Sequence, residues 1–106
     1  MADKDQLFTA EAIRDTASHD SAHAHTGEFI AQTIVIQNGL DQQVTLQLQG
    51  TVDESVWFDI GNTFNVAATT NSYETVTDYF CCYRVQAQCG TSPTSGVVDV
   101  WILKTR

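Results

Sequence analysis

The sequence predicts an all-β fold, a sandwich of two packed antiparallel sheets, preceded by an extended N-terminal arm. Three observations predict it. Residues 44–49, VTLQLQ, alternate apolar and polar side chains with period two. Turn signals rich in Gly, Asn, Ser and Pro recur at the short spacings of a sandwich. After Glu28 no segment sustains a helical apolar period. Immunoglobulin-like and jelly-roll connectivity both satisfy this pattern. A chain of 106 residues makes one domain with one small core.

Residues 1–28 read as the arm and residues 29–106 as the sandwich. The arm holds one short alternating piece, residues 7–13, in which Phe8, Ala10 and Ala12 oppose Leu7, Thr9, Glu11 and Ile13. Residues 15–27 are small and polar, as in a linker. Strands follow. Ile30, Gln32, Ile34 and Ile36 share one face of the first. Asn38 and Gly39 mark a turn. Val44, Leu46 and Leu48 point inward on the next strand, and residues 50–55 form an acidic loop. Residues 56–60 make a short strand that Gly61 and Asn62 end, and Phe64 and Val66 belong to another. Residues 73–77 are β-prone. On residues 79–88, Cys81, Tyr83, Val85 and Ala87 share the inner face, with Cys82, Arg84 and Gln86 opposite. The last strand turns Val98, Val100 and Ile102 inward and Trp101 outward.

The formal charge is −8, from 13 acidic and 5 basic residues. A surface so poor in Lys and Arg has nothing with which to release counterions from nucleic acid or to bind anionic membranes. Neither is expected as a partner. The opening MADKDQLF lacks the apolar run of a signal peptide, so synthesis in a cytoplasm is expected. Three cysteines are an odd count for a disulfide framework. Cys81 and Cys89 share a face but lie roughly 27 Å apart along an extended strand, too far to bridge. All three are read as thiols, Cys81 and Cys89 inward and Cys82 on the other face.

The sharpest chemical pattern is HDSAHAH, residues 19–25. In an extended chain His23 and His25 share a face and suit one structural metal ion, with His19 or Asp20 assisting. The plain alternative is a soluble polar arm. No histidine lies in the strand-rich region, so a nucleophilic triad has no base there. Asp53, Glu54 and Asp59 read as loop acids, because so small a sandwich supplies no cleft around them. No catalytic residue is expected, and no cofactor beyond that metal ion. Trp57 and Trp101 are either edge-of-core packing or anchors of an interface.

Several runs form one larger pattern: IVIQN at 34–38 with Leu40 and Asp41, residues 44–50, then Asp53 with WFDIG at 57–61. It continues with YRVQA at 83–87 and PTSG at 93–96 before a Val-rich strand. Over residues 30–104 it resembles small β-sandwich virion proteins of tailed phages and related viruses, of the head-decoration (cement) or tail-accessory type. The resemblance implies a non-enzymatic structural protein of the virion, with other virion proteins and copies of itself as partners. The arm lies outside that pattern and is expected to dock on a neighbouring subunit, the alternative being that it packs back on its own sandwich as an extra strand. When docked, Leu7, Phe8 and Ile13 add a strand to an open sheet edge of that neighbour, and Trp57 and Trp101 are further contacts. The alternative is a carbohydrate- or receptor-binding module with Trp57 or Trp101 as its platform.

Overall fold

A computed structural model describes residues 2–25, 31–76 and 80–105, with side chains over 4–25, 31–76 and 80–104. Among the described residues there are nine strands and no helix. They are β1 (Ala2–Glu11), β2 (His19–Asp20), β3 (Ala24–His25), β4 (Ala31–Asn38), β5 (Val44–Thr51), β6 (Phe58–Val66), β7 (Asn71–Val76), β8 (Cys82–Gln88) and β9 (Val98–Thr105). One sheet has the order β1-β9-β4-β7; the other has the order β2-β8-β5-β6, with β3 also on β8. The chain is an all-β antiparallel sandwich, as expected.

The pairing is nested. First pairs with last (β1 with β9), β2 and β3 with β8, β4 with β7, and β5 with β6. This is one long hairpin rolled into two sheets, the jelly-roll arrangement. It resolves the connectivity that alternation could not. The loop at residues 52–57 is the tip of that hairpin, and the β1/β9 pair is its open end.

Alternation positions the core. Ile34 and Ile36 of β4, Val44, Leu46 and Leu48 of β5, Tyr83, Val85 and Ala87 of β8, and Val98, Val100 and Ile102 of β9 are all buried. Each set follows the period of two, which presents one face of each sheet to the other. Asn38 closes the end of β4. Its Nδ2 lies 3.1 Å from the carbonyls of Val66 and Ala67 and 3.2 Å from that of Gln42, and its Oδ1 accepts the Leu40 N–H at 3.1 Å. Gly39 and Gly96 cross back to back beside it. Gly96 has φ +87°, and a Cβ there would stand 1.9 Å from the Gly39 carbonyl oxygen.

The structure corrects three sequence expectations. The N-terminal segment is not a free arm. β1 lies along β9 in register from Ala2↔Thr105 to Glu11↔Val98, and β2 and β3 complete the edge of the other sheet. Leu7, Phe8 and Ile13 are 3%, 3% and 0% exposed within this chain's own core, so they are core residues and not contacts offered to a neighbour. The Ala22 N–H bonds the Leu7 carbonyl at 3.1 Å, tying the two sheets together along this side. The second correction is that residues 58–66 form one strand. A register shift opposite Leu46 and Leu48, with Gly61 at φ +67°, absorbs the turn signal as a bulge. Cys82 lies on the face opposite Tyr83, as expected, but is buried there; the third correction is that Cys81, expected inward, lies half-buried at a bend before β8. Its thiol sits 3.2 Å from the Thr51 carbonyl. Cys89 is buried as expected, and all three are free thiols. The boundary expected at residue 28, the strand start at Phe29 and Ile30, and residues 77–79 lie outside the described residues.

Candidate functional site

The tip of the rolled hairpin meets its third and eighth strands at one place. β3 pairs Ala24 with Tyr83 and His25 with Cys82, and Ala24 is buried. Period two then turns His23 and His25 to the opposite side, over Cys82 at the start of β8. Glu54 arrives from the tip loop, which Thr51 and Asp53 build. Thr51 Oγ1 accepts the N–H of Glu54 at 3.0 Å and donates to the Val56 carbonyl at 2.7 Å. Asp53 Oδ1 accepts the N–H of Ser55 at 3.0 Å and of Val56 at 3.1 Å, and these bonds hold its carboxyl below the usual aspartate range. Glu54 itself sits at φ +63°.

The result is a compact set of donors. His23 Nε2 is 2.8 Å and His25 Nε2 3.7 Å from Glu54 Oε1, and His25 Nδ1 is 3.2 Å from Cys82 Sγ. One ligand atom from each of His23, His25, Glu54 and Cys82 lies within 4.8 Å of all the others. Burial pushes the Cys82 thiol up to about 12, with the adjacent Cys81 thiol, 3.5 Å away, and the Glu54 carboxylate adding to the effect. The two imidazole rings stand edge to face, 5.5 Å between centroids.

Trp57 flanks this set, half-buried. The Arg84 guanidinium lies 4.4 Å from its ring centroid, and His23 packs at 5.7 Å. Arg84 Nε donates to Gln49 Oε1 at 2.8 Å, and Gln49 Nε2 donates to Asp59 Oδ1 at 2.8 Å. Around them the outer face of this sheet is polar, with Thr45, Gln47, Asp59, Thr63, Gln86 and Gln88 lining a shallow depression.

His19 stands apart. Its ring bridges Asp15 Oδ1 at 2.9 Å and Glu11 Oε2 at 3.1 Å. The Asp15 hydrogen bond, followed by that of Glu11, raises its pKa above 6.5 despite partial burial. His19 therefore fastens β2 to the end of β1 and is not gathered with His23 and His25. Trp101 is half-buried on the outer face of the other sheet. It lines a shallow apolar hollow with Val35 and Leu103, and the Lys4 ammonium is 5.9 Å from its ring. On the side of the sandwich opposite β1, strands β6 and β7 are the sheet edges, and Phe58 (51%) and Tyr73 (70%) are exposed on them.

With this geometry the chain can be compared with known proteins. It matches no family model and no curated protein. Its fold resembles that of part of XepA. The likeness to the crystal structure described as PBSX exported protein XepA has a TM-score of 0.74 at 18% identity and covers 96% of this chain and 36% of XepA. The crystal structure of PirA is also similar, with a TM-score of 0.55 at 10% identity, covering 99% of this chain and 93% of PirA. The chain thus spans well under two thirds of XepA's length. At such identities the likeness to XepA and PirA is one of fold.

The spacing of His23 and His25 pointed to a shared face. Glu54 and Cys82 carried no signal, since Cys82 follows His25 by 57 residues and only strand pairing brings them together.

Proposed function

We propose that this chain is a non-enzymatic, phage-related structural protein of the decoration or tail-accessory kind, made in a host cytoplasm and carried on the virion. The observation behind this reading is the fold shared with XepA, a protein of the phage PBSX, over 96% of the chain. The contacts with a neighbouring subunit are not made by a free arm, because that segment is consumed in the chain's own sheet. They fall to the sandwich surface. The hollow at Trp101 with Val35 and Leu103, and the exposed Phe58 and Tyr73 on the open edges, are apolar features of the kind that anchor protein partners. Partners on this reading are other virion proteins and copies of the chain itself, with neither nucleic acid nor membrane. The test is to purify phage particles from cells that encode the protein and measure its copies per particle after gradient sedimentation. A fixed copy number supports the reading. Protein abundant in the lysate and missing from particles refutes it.

A second reading is a glycan-binding module using the polar face of Thr45, Gln47, Asp59, Gln86 and Gln88 beside Trp57. Against it, Arg84 already covers the Trp57 ring at 4.4 Å, leaving that ring face closed to a sugar. Saturable binding on a glycan array, lost on Gln86→Ala, would favour this second reading over the first.

A further inference from the structure

We propose that His23, His25, Glu54 and Cys82 bind one zinc ion, which staples the tip of the rolled hairpin to its stem. Four ligand atoms come from three separate segments: β3 with the residue before it, the tip loop, and the first residue of β8. They already lie within 4.8 Å of one another. A tetrahedral zinc ion at about 2.0–2.3 Å from each ligand sets its ligand atoms about 3.3–3.8 Å apart. The set therefore needs only a small contraction, led by the side chains of His23, His25 and Glu54, which are exposed. The backbone positions are fixed independently by the Ala24↔Tyr83 and His25↔Cys82 pairs and by the Thr51 and Asp53 bonds within the loop.

The donor chemistry selects the ion. Thiolate and imidazole are poor ligands for calcium and magnesium and good ones for zinc. Two neutral imidazoles, one carboxylate and one thiolate carry two negative charges, which a divalent ion neutralises. The Cys82 proton leaves to solvent as the sulfur–zinc bond forms. Four protein ligands close the coordination shell, as in structural sites, and leave no position for a substrate. Neighbouring side chains support the ligands. Trp57 packs on His23, and the Cys81 thiol reaches the Cys82 sulfur at 3.5 Å. His19 is excluded, since Asp15 and Glu11 hold both of its ring nitrogens.

The test uses the full chain, reduced with a phosphine and stripped with a chelator. Zinc titrated by calorimetry is expected to bind one ion per chain. Cobalt(II) is expected to give the visible bands of a tetrahedral ion with a near-ultraviolet thiolate-to-metal band, which zinc then displaces. His23→Ala and Glu54→Ala, both at exposed positions, are expected to weaken zinc binding by at least about a hundredfold. Cys82→Ser is expected to remove the near-ultraviolet band, and His19→Gln to change nothing. The proposal is overturned if zinc does not saturate at one per chain. Affinity unaltered in both His23→Ala and Glu54→Ala, or a cobalt spectrum that is octahedral or lacks the thiolate band, overturns it equally. The two exposed variants carry the test even if Cys82→Ser fails to fold.

Discussion

Truncating Phe8 or Ile13 measures whether the N-terminal segment is part of the sandwich. Phe8 is 3% exposed and Ile13 fully buried, and Phe8 pairs with Val100 across the β1/β9 ladder. Large-to-small changes at such sites cost about 3–5 kcal/mol for Phe→Ala and about 2–5 kcal/mol for Ile→Ala, through lost transfer energy and the cavity left behind. A domain of this size is stable by about 5–15 kcal/mol. Each single variant therefore loses a large fraction of the total, and the pair together approaches global unfolding. In urea, with a slope of about 1–3 kcal/mol per molar, Phe8→Ala should lower the midpoint by about 1–5 M at unchanged slope. Thr9→Ala is the control. Its side chain is exposed, and the expected change is within about 0.5 kcal/mol. An arm lying in solvent or reserved for another subunit would make Phe8→Ala behave like Thr9→Ala. A midpoint shift below about 0.3 M in both Phe8→Ala and Ile13→Ala would refute the packing described here.

Gly96→Ala should cost about 2–5 kcal/mol, because a left-handed backbone and a Cβ driven into the Gly39 carbonyl add together. Gly61→Ala shares the positive φ but has open space, so it should lose only about 1–2 kcal/mol; equal losses in urea melts would show that the Gly39–Gly96 contact is not tight. The raised pKa of His19 means its contribution is complete below its ordinary 6.5 and is lost as pH rises through its higher folded value. Between about pH 6 and 8 the urea midpoint should fall in the parent and fall less in His19→Gln, and identical slopes would remove the Asp15–His19–Glu11 clasp from the account. With Cys82 pushed up to about 12 and Cys89 also raised by burial, only Cys81 should react promptly with a disulfide reagent in the native protein. Denaturant should release all three thiols, and rapid native labelling of Cys82 would contradict its burial.

The strands legible in the sequence are those whose alternation is uninterrupted. Val44, Leu46 and Leu48, and Val98, Val100 and Ile102, each fill one side of their strand with buried residues, the bulges in these ladders falling on the partner strands. Where a strand itself bulges, parity fails. β1 slips between Gln6 and Phe8 and again between Phe8 and Glu11, with Ala10 at φ +48°. Leu7 and Phe8 are therefore both buried, although adjacent residues in a regular strand face opposite ways. A segment as polar as ADKDQLFTAE, read with strict alternation, looks like an arm for that reason. β6 was divided in two by Gly61 on the same grounds. Cys81 departs from the inward set because it precedes the strand, whose inward residues begin at Tyr83. Of the donor cluster, only the i, i+2 relation of His23 and His25 is local. Glu54 and Cys82 join it through pairings between distant segments, which no spacing rule encodes.

The nested pairing has a further consequence at its open end. Ala2 and Thr105 are the outermost partners of the β1/β9 ladder, so the polypeptide enters and leaves the sandwich at a single corner, about one strand spacing apart. A surface turn of another protein already spans such a gap. The unit can therefore be spliced into that turn as a cassette, with almost no added loop-closure entropy and no rerouting of the host backbone. Lifting the cassette out would leave the host's own path intact.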